Sequence, residues 1–460
     1  MGEYAPVTDT LDWRLPMLAG ATRLDVPAAA RNPAAWPGYI PRQSVRVWRL
    51  RSGVVAAVWD FTSFGGSFGE DDATALVEAA REAVRVGVPL LTLVRSGGTR
   101  LQEGMAALVG IPRARLALLD LAAAGLAHLS VADAPTTGGV WISVASAADL
   151  RVAVEGATVG FAGPRVVEAV TTLRPAAGSH TASSAYAAGL VDAVLPGADV
   201  PAWIEATLAA LSCSAVLAPA AVEADVPSAG SGWEQVGRAR GRTIGGAALL
   251  ATLLDGMVAL RASGGDTTVA AGVGRLGGRS VVGVAVAAQL GGRPTPDGYR
   301  LATRAYRLGG RLALPVLSLV DTPGAEPGTQ AEDGGIAPAM GEALDALLTC
   351  PSPTVALVHG EGGSGGALAA AAADLVLMTP DSYFAAIGPE GASAVLRRPA
   401  RECADLMRIT PADLRALGAV DAVVADPADV AGHLAALCAA SGDRLARRRA
   451  RWSAPLPGRL

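Results

Sequence analysis

One internal repeat constrains this chain more than any other feature. Five landmarks recur along the 460 residues: Pro89 with Pro315, Gly139 with Gly366, Asp149 with Asp374, Gly163 with Gly388, and Asp192 with Asp421. By subtraction the offsets are 226, 227, 225, 225 and 229 residues. The surrounding segments agree in kind, since AADLRVAVEGATVGFAGPRVVE is matched by AADLVLMTPDSYFAAIGPEGAS and AAGLVDAVLP by ALGAVDAVVADP. One domain fold therefore occurs twice. The expected layout is an irregular arm over 1–45, a first domain over 46–225 and a second over 226–460. A Pro-, Gly-, Ser- and Ala-rich stretch between Ala215 and Gly232 reads as the linker.

Within each half, apolar strands alternate with loops and helix-like segments. In the first half the strands are Val54 to Phe61, Pro89 to Val94 and Leu126 to Ala132, with a helix-like segment over Asp72 to Val86. In the second they are Pro315 to Val320 and Thr354 to His359. That order predicts an α/β fold with a largely parallel sheet. With 51% hydrophobic and only 4% aromatic residues, the cores must be mostly Ala, Val and Leu.

Each half also carries two glycine turns at the ends of successive strands. They are RSGG (Arg95 to Gly98) with TTGG (Thr136 to Gly139), and DTPG (Asp321 to Gly324) with GSGG (Gly363 to Gly366). A strand turning through glycines into a helix presents unpaired backbone N–H groups and the positive end of the helix dipole at one point. Such a point holds an anion, or it is simply a tight packing turn. Two turns converging make an oxyanion hole, with each donor contributing about 2.7–4 kcal/mol in a transition state. Two such holes suggest a reaction in which two oxygens gain negative charge, as when a thioester enolate faces a second carbonyl.

Other chemistry is thinly supported. His128, His180, His359 and His433 are scattered, with no Ser/His/Asp order; His128 and His433 read as surface or core residues, and His359 as a strand-end histidine beside the second turn. Glu361 and Glu390 read as carboxylates accepting loop N–H groups, and GGSFG (Gly65 to Gly69) as an isolated glycine cluster. The four cysteines stand far apart without a CxxC pair, so neither a metal site nor a disulfide framework is expected. A formal net charge of -4 offers no basic face for nucleic acid. The apolar run Ala206 to Val222 is broken by Pro219 and the N-terminus has no signal-peptide pattern, so the expectation is a cytoplasmic protein with no membrane contact. All 38 basic residues are arginine. Without lysine this chain cannot bear biotinyl- or lipoyl-lysine, a P-loop lysine or a Schiff base, so any swinging cofactor arrives on another polypeptide.

At these residues the chain resembles the carboxyltransferase component of biotin-dependent acyl-CoA carboxylases. The first half is similar to the beta subunit of bacterial acetyl-CoA carboxylase through DFTSFGGSFG, SGGTRLQEGMAAL, APTTGGV and VGFAGPRVVE. The second is similar to the alpha subunit through GYRLATRAYRL, PVLSLVDTPGAEPGTQAE, GEGGSGGALA and IGPEGASAVL. The resemblance covers roughly residues 50 to 440. It implies two tandem crotonase-like domains related by duplication, acting between opposite protomers of a dimer, hexamer or similar homo-oligomer. It also implies carboxyl transfer from carboxybiotin, carried by a biotin carboxyl carrier protein and loaded by biotin carboxylase, to a short acyl-CoA such as acetyl- or propionyl-CoA.

Carried over residue by residue, the resemblance puts the thioester oxygen on Gly138 and Gly139 and the biotin ureido oxygen on Gly366 and Ala367. Gly97, Gly98, Arg100, Pro323, Gly324 and Gly365 would line the cavity. The lysines expected ahead of GYR are absent, so phosphate contacts fall to Arg293 or Arg300; the family's four-cysteine zinc ribbon is absent, and DTPGAYPG has become DTPGAEPG, placing Glu326 near the pocket. Two other readings stand beside transfer: a biotin-independent decarboxylase of malonyl- or methylmalonyl-thioesters, and a non-catalytic subunit of a carboxylase complex. Valine at Gly139 or Gly366 is expected to abolish turnover with the fold largely intact.

Overall fold

Runs such as Leu90 to Val94 and Thr354 to Val358 lack polar alternation, the pattern of strands covered on both faces. In the computed structural model, which describes residues 12–212 and 230–457, both runs lie inside parallel sheet. The chain divides into two units, Met1–Glu205 and Ala206–Leu460. The expected boundary at 225/226, Cys213 and most of the expected linker lie outside the described residues.

The first unit is built on β1 (Thr22–Leu24), β2 (Val45–Arg49), β3 (Val55–Trp59), β4 (Leu90–Ser96), β5 (His128–Thr137), β6 (Leu150–Val154), β7 (Val159–Gly160) and β8 (Ala193–Leu195). Its sheet order is β1-β2-β3-β4-β5-β6-β8, and β7 pairs with β5. The second unit has β9 (Asp255–Leu260), β10 (Val269–Leu276), β11 (Arg279–Val286), β12 (Val316–Thr322), β13 (Thr354–Gly363), β14 (Leu375–Met378), β15 (Tyr383–Ala385) and β16 (Ala422–Val423). Its order is β9-β10-β11-β12-β13-β14-β16, with β15 on β13. In both, the first three strands are antiparallel and the rest parallel. The two sheets match strand for strand.

The landmarks explain the match. Asp149 accepts the amide of His128, and Asp374 accepts that of Thr354, so each ties the start of the central strand to the next strand's entry. Asp192 and Asp421 accept the amides of Arg151 and Val376 in the same way. Gly163 and Gly388 cap the helices Pro164–Thr171 and Pro389–Leu396, each with proline in its first turn where a missing N–H is harmless. The cores are aliphatic, with Leu76, Leu90, Val94 and Leu121 in the first unit and Leu250, Leu317, Leu357 and Leu377 in the second.

Two expectations need correction. The arm over 1–45 is not wholly irregular: among its described residues Arg14–Leu18 is helical and Thr22–Leu24 pairs with Arg49–Val47 as an edge strand. Buried Arg14 also forms an ion pair with Asp133. The second correction concerns register. Strands β4 and β12, and β5 and β13, begin and end 226 residues apart, so Gly139 corresponds to Gly365 and Gly138 to Ser364. Matching TTGG to GSGG by their paired glycines shifts this by one.

Candidate active site

Each central strand pair is interrupted by the same bulge. The β4/β5 register shifts between Val94 and Ser96, and the β12/β13 register between Val320 and Thr322. Across the shift β5 advances from Ala132 to Thr136 while β4 advances only from Val94 to Ser96, and β13 from Val358 to Gly362 while β12 advances from Val320 to Thr322, which leaves one hydroxyl at the end of the shorter strand. Ser96 Oγ accepts the Gly98 amide at 3.1 Å, and Thr322 Oγ1 accepts the Gly324 amide at 3.1 Å. Two residues beyond each of these glycines the bonding resumes, with Arg100 N–H donating to Phe68 O and Glu326 N–H to Pro294 O. The residue between is left with its amide facing the opposite way, toward the helix that follows the neighbouring strand. That residue is Thr99 in the first unit and Ala325 in the second.

Counting amides revises the expected donors. In the first cradle Gly97 donates to Gly65 O, Gly98 to Ser96, and Gly138 to Phe161 O at 3.0 Å. None of these three is free for a ligand oxygen. The amides of Thr99 and Gly139 have no acceptor among the described residues. They lie together, because a Cβ built on Gly138 would stand 3.0 Å from Gly98 Cα and 3.8 Å from Thr99 N. With Gly138 at φ +68° and Gly98 at φ +108°, both positions also require glycine's conformational freedom.

In the second cradle the Gly324 amide is likewise engaged, and the helix Ser364–Ala371 begins one residue after β13. Ala367, in the first turn of the helix opening at Ser364, is fully buried. Ala325, Gly365 and Gly366 retain unpaired amides, and a Cβ on Gly366 would fall 2.5 Å from Ala325 N. The sequence signal for the missed donors is the shared pattern Ser/Thr-x-Gly-x, in SGGT and TPGA.

A cavity of about 730 Å³ opens on this second cradle. Gly324, Ala325, Ser364, Gly365 and Gly366 line one side, with Ile336, Met340 and Leu344 from the helix Ile336–Leu348 opposite. Arg293 is exposed at its rim and donates to Ala325 O at 3.4 Å; Arg300, also exposed, is outside the cavity, paired with Asp297 and donating to Gly334 O. Glu326 lines the cavity as expected, accepting the Gly328 amide at 3.0 Å. Glu361 and Glu390 differ from expectation, since Arg240 holds both, and Glu361 also accepts from Tyr383. His359 is buried beside Asp321 and Arg242, and burial pulls it down to about 4, so it is neutral at pH 7.

Arg100 was expected in the cavity, and the structure places it in the interior. It is 1% exposed. Its guanidinium donates to Asp72 at 2.6 Å, Glu103 at 3.0 Å, Ser44 at 2.6 Å and the carbonyls of Arg42 and Ser67. A cation so fully paired holds the loops around the first cradle and has no donor left for phosphate. Gly66 in the GGSFG cluster has a packing reason, because a Cβ there would meet Arg95 O at 1.9 Å. His128 and His433 are buried and His180 stands at φ +58° in a turn, none of them at a cradle. Among the described residues no helix is long and apolar enough to cross a membrane.

Comparison with known proteins agrees with this geometry. A profile for the carboxyl transferase domain matches residues 51–186, and one for acetyl co-enzyme A carboxylase carboxyltransferase-like proteins matches residues 240–447. The acetyl-coenzyme A carboxylase carboxyl transferase subunits beta/alpha of Salinispora tropica is 39% identical over 412 residues, 82% of this chain and 72% of the relative. A probable biotin-dependent acyl-coenzyme A carboxylase beta3 subunit from Mycobacterium bovis is 33% identical, over 88% of this chain and 83% of that one. Among solved structures, the transcarboxylase 12S hexamer with methylmalonyl-coenzyme A and methylmalonic acid bound superposes with a TM-score of 0.75 at 25% identity, covering 91% and 86% of the two chains. The two crotonase-like units, each with its glycine cradle, are the beta-like and alpha-like halves of one carboxyltransferase, and the chain belongs to the acyl-CoA carboxylase carboxyltransferase family.

Proposed function

We propose that this chain moves a carboxyl group from carboxybiotin, presented by a separate carrier protein, to the α-carbon of a short acyl-CoA. The observation that carries the reading is the pair of cradles with unpaired amides, Thr99 with Gly139 and Ala325 with Gly365 and Gly366. Carboxybiotin, as substrate, supplies CO2 and a ureido nitrogen that accepts the α-proton; the acyl-CoA enolate then bonds to the CO2 carbon. The chain's own part is electrostatic. Backbone amides stabilise the enolate oxygen at the first cradle and the ureido oxygen at the second, with no reorganisation at the moment of reaction. No side-chain base is required, in keeping with a neutral, buried His359 and with the engagement of Glu361 and Glu390 by Arg240.

The absence of lysine in the chain supports a carrier on another polypeptide. Arg293, at the cavity rim, is the proposed phosphate contact, in preference to Arg300. The functional unit is proposed to be a homo-oligomer working with biotin carboxylase and the biotin carboxyl carrier protein. Loss of carboxylate from malonyl-CoA and methylmalonyl-CoA, followed with and without free biotin, tests the reading. Biotin-dependent loss is expected and ranks the acyl groups; biotin-independent loss points instead to a decarboxylase, and no loss with either thioester counts against turnover on short acyl-CoA.

A further inference from the structure

The duplication supplies an internal control for every residue of the second cradle. Where the first unit turns into its helix on Gly138 at φ +68°, the second does so on Ser364 at φ +62°. A non-glycine residue in this left-handed region is disfavoured by its Cβ, so a serine there carries a steric cost that glycine avoids. Among the described residues the Ser364 hydroxyl has no hydrogen-bond partner, although Ser364 lines the 730 Å³ cavity beside Gly365 and Gly366.

A second hydroxyl behind the same cradle is also without a partner. Tyr299 is fully buried, and its Oη has no hydrogen bond among the described residues. A Cβ on Gly366 would stand 2.7 Å from that Oη and 2.5 Å from Ala325 N, so the hydroxyl is aimed at the cradle's backbone. The amide of Tyr299 donates to Thr295 O as that of Ala73 does to Gly69 O, which makes Ala73 its counterpart in the first unit. Burial pushes the Tyr299 hydroxyl up, so it keeps its proton and remains a donor. A buried polar atom left unpaired costs stability, and one retained at a site calls for a ligand or a bound water.

Resting on the proposed carboxyl transfer, we infer that these hydroxyls distinguish the second cradle from the first and select biotin for it: Ser364 donates directly to the ureido group, and Tyr299 is a positioning residue behind Gly366. The chemistry accounts for the asymmetry. A urea oxygen flanked by two nitrogens is a stronger acceptor than a thioester oxygen, and an added neutral donor discriminates in its favour. The first cradle has Gly138 and Ala73 at these positions and lacks both hydroxyls; the hydroxyl near it belongs to Thr99 and lies beside Gly139, 3.2 Å from where a Cβ would stand.

Steady-state kinetics of the full chain with malonyl-CoA and free biotin test this, alongside thermal melting. Ser364→Gly keeps every backbone donor and relieves the left-handed serine. It is expected to lower kcat/KM for biotin about 2- to 10-fold, the loss of one neutral hydrogen bond. KM for malonyl-CoA should stay at the wild-type value, and Tm should hold or rise. Tyr299→Phe should also lower kcat/KM for biotin without lowering Tm, whereas a purely structural tyrosine would change melting alone. Wild-type biotin kinetics in Ser364→Gly, or a change confined to malonyl-CoA, overturns the inference while leaving carboxyl transfer in place. A wild-type chain indifferent to biotin brings down the transfer reading itself, and the inference with it.

Discussion

The two halves share one backbone and differ in what fills it. At equivalent positions, Arg100 is buried in a hydrogen-bonded network while Glu326 lines a cavity, and Asp133 pairs with Arg14 while His359 is buried and neutral. The amide pattern that makes a cradle is nonetheless the same in both, down to the bulge and the Ser/Thr hydroxyl that holds the glycine turn. The two copies thus share a pattern of backbone donors and differ in the side chains around it. A reaction with two developing oxyanions can therefore use two copies of one device.

The sharpest way to break that equivalence is at the glycines. In Gly366→Val the new Cβ meets Ala325 N at 2.5 Å and Gly324 C at 3.1 Å, and backbone cannot move aside cheaply. Contrary to the expectation from sequence, this variant should lose both activity and the stability of the second unit, by about 3 kcal/mol or more as an overpacked site. Gly139→Val instead meets Ile111 Cδ1 at 2.1 Å, the end of a flexible side chain. It should keep a near-normal melting transition and lose about 10²- to 10³-fold in kcat, the magnitude for one oxyanion donor. Activity and melting measured on both variants decide the matter; equal melting losses would mean the two cradles are packed alike.

Next in size is the Arg100 and Glu326 pair of positions. Arg100→Met leaves Asp72 and Glu103 buried without their cation and should cost about 3–5 kcal/mol, read as a large drop in denaturation midpoint. Glu326→Gln, at a half-buried cavity wall, should change stability by less than about 0.5 kcal/mol while altering kcat/KM among acyl-CoAs. If Arg100→Met melts normally but binds acyl-CoA poorly, the first half uses its arginine on substrate after all.

A further difference is a pH dependence set by His359 in the second half. His359 has a folded pKa of about 4, below the ordinary value of 6.5. The unfolded chain therefore binds the extra proton first, and stability is present above about pH 6.5 and lost as pH falls toward 4. The contribution is on the order of 3 kcal/mol at most. Chemical denaturation of the wild type and His359→Gln between pH 4 and 7 checks the sign. A wild type whose midpoint rises on acidification would contradict it.

Much of the fold was legible because the landmarks are backbone partners. Asp149, Asp192, Asp374 and Asp421 each bond a strand amide, so their spacing reports strand entry directly. Gly139, Gly324, Gly365 and Gly366 were likewise legible as cradle residues, since glycine marks close backbone approach. Thr99 and Ala325 were not. One is a threonine and the other an alanine, and an unpaired amide leaves no trace in residue identity except through the Ser/Thr-x-Gly-x turn before it.

By itself the sequence determined the duplication, the aliphatic α/β core, the glycine turns and the need for an external biotin carrier, because periodicity, spacing and the lack of lysine are properties of the chain alone. Tertiary structure decided which amides remain unpaired. Gly138 lost its donor to Phe161 O, Arg100 was drawn into the interior by Asp72 and Glu103, and Ser364 took the left-handed position where its counterpart is glycine. The first depends on a partner 23 residues away, the second chiefly on one 28 residues away, and the third on a one-residue register set by where a strand ends. Such pairings are fixed only when the sheet is assembled.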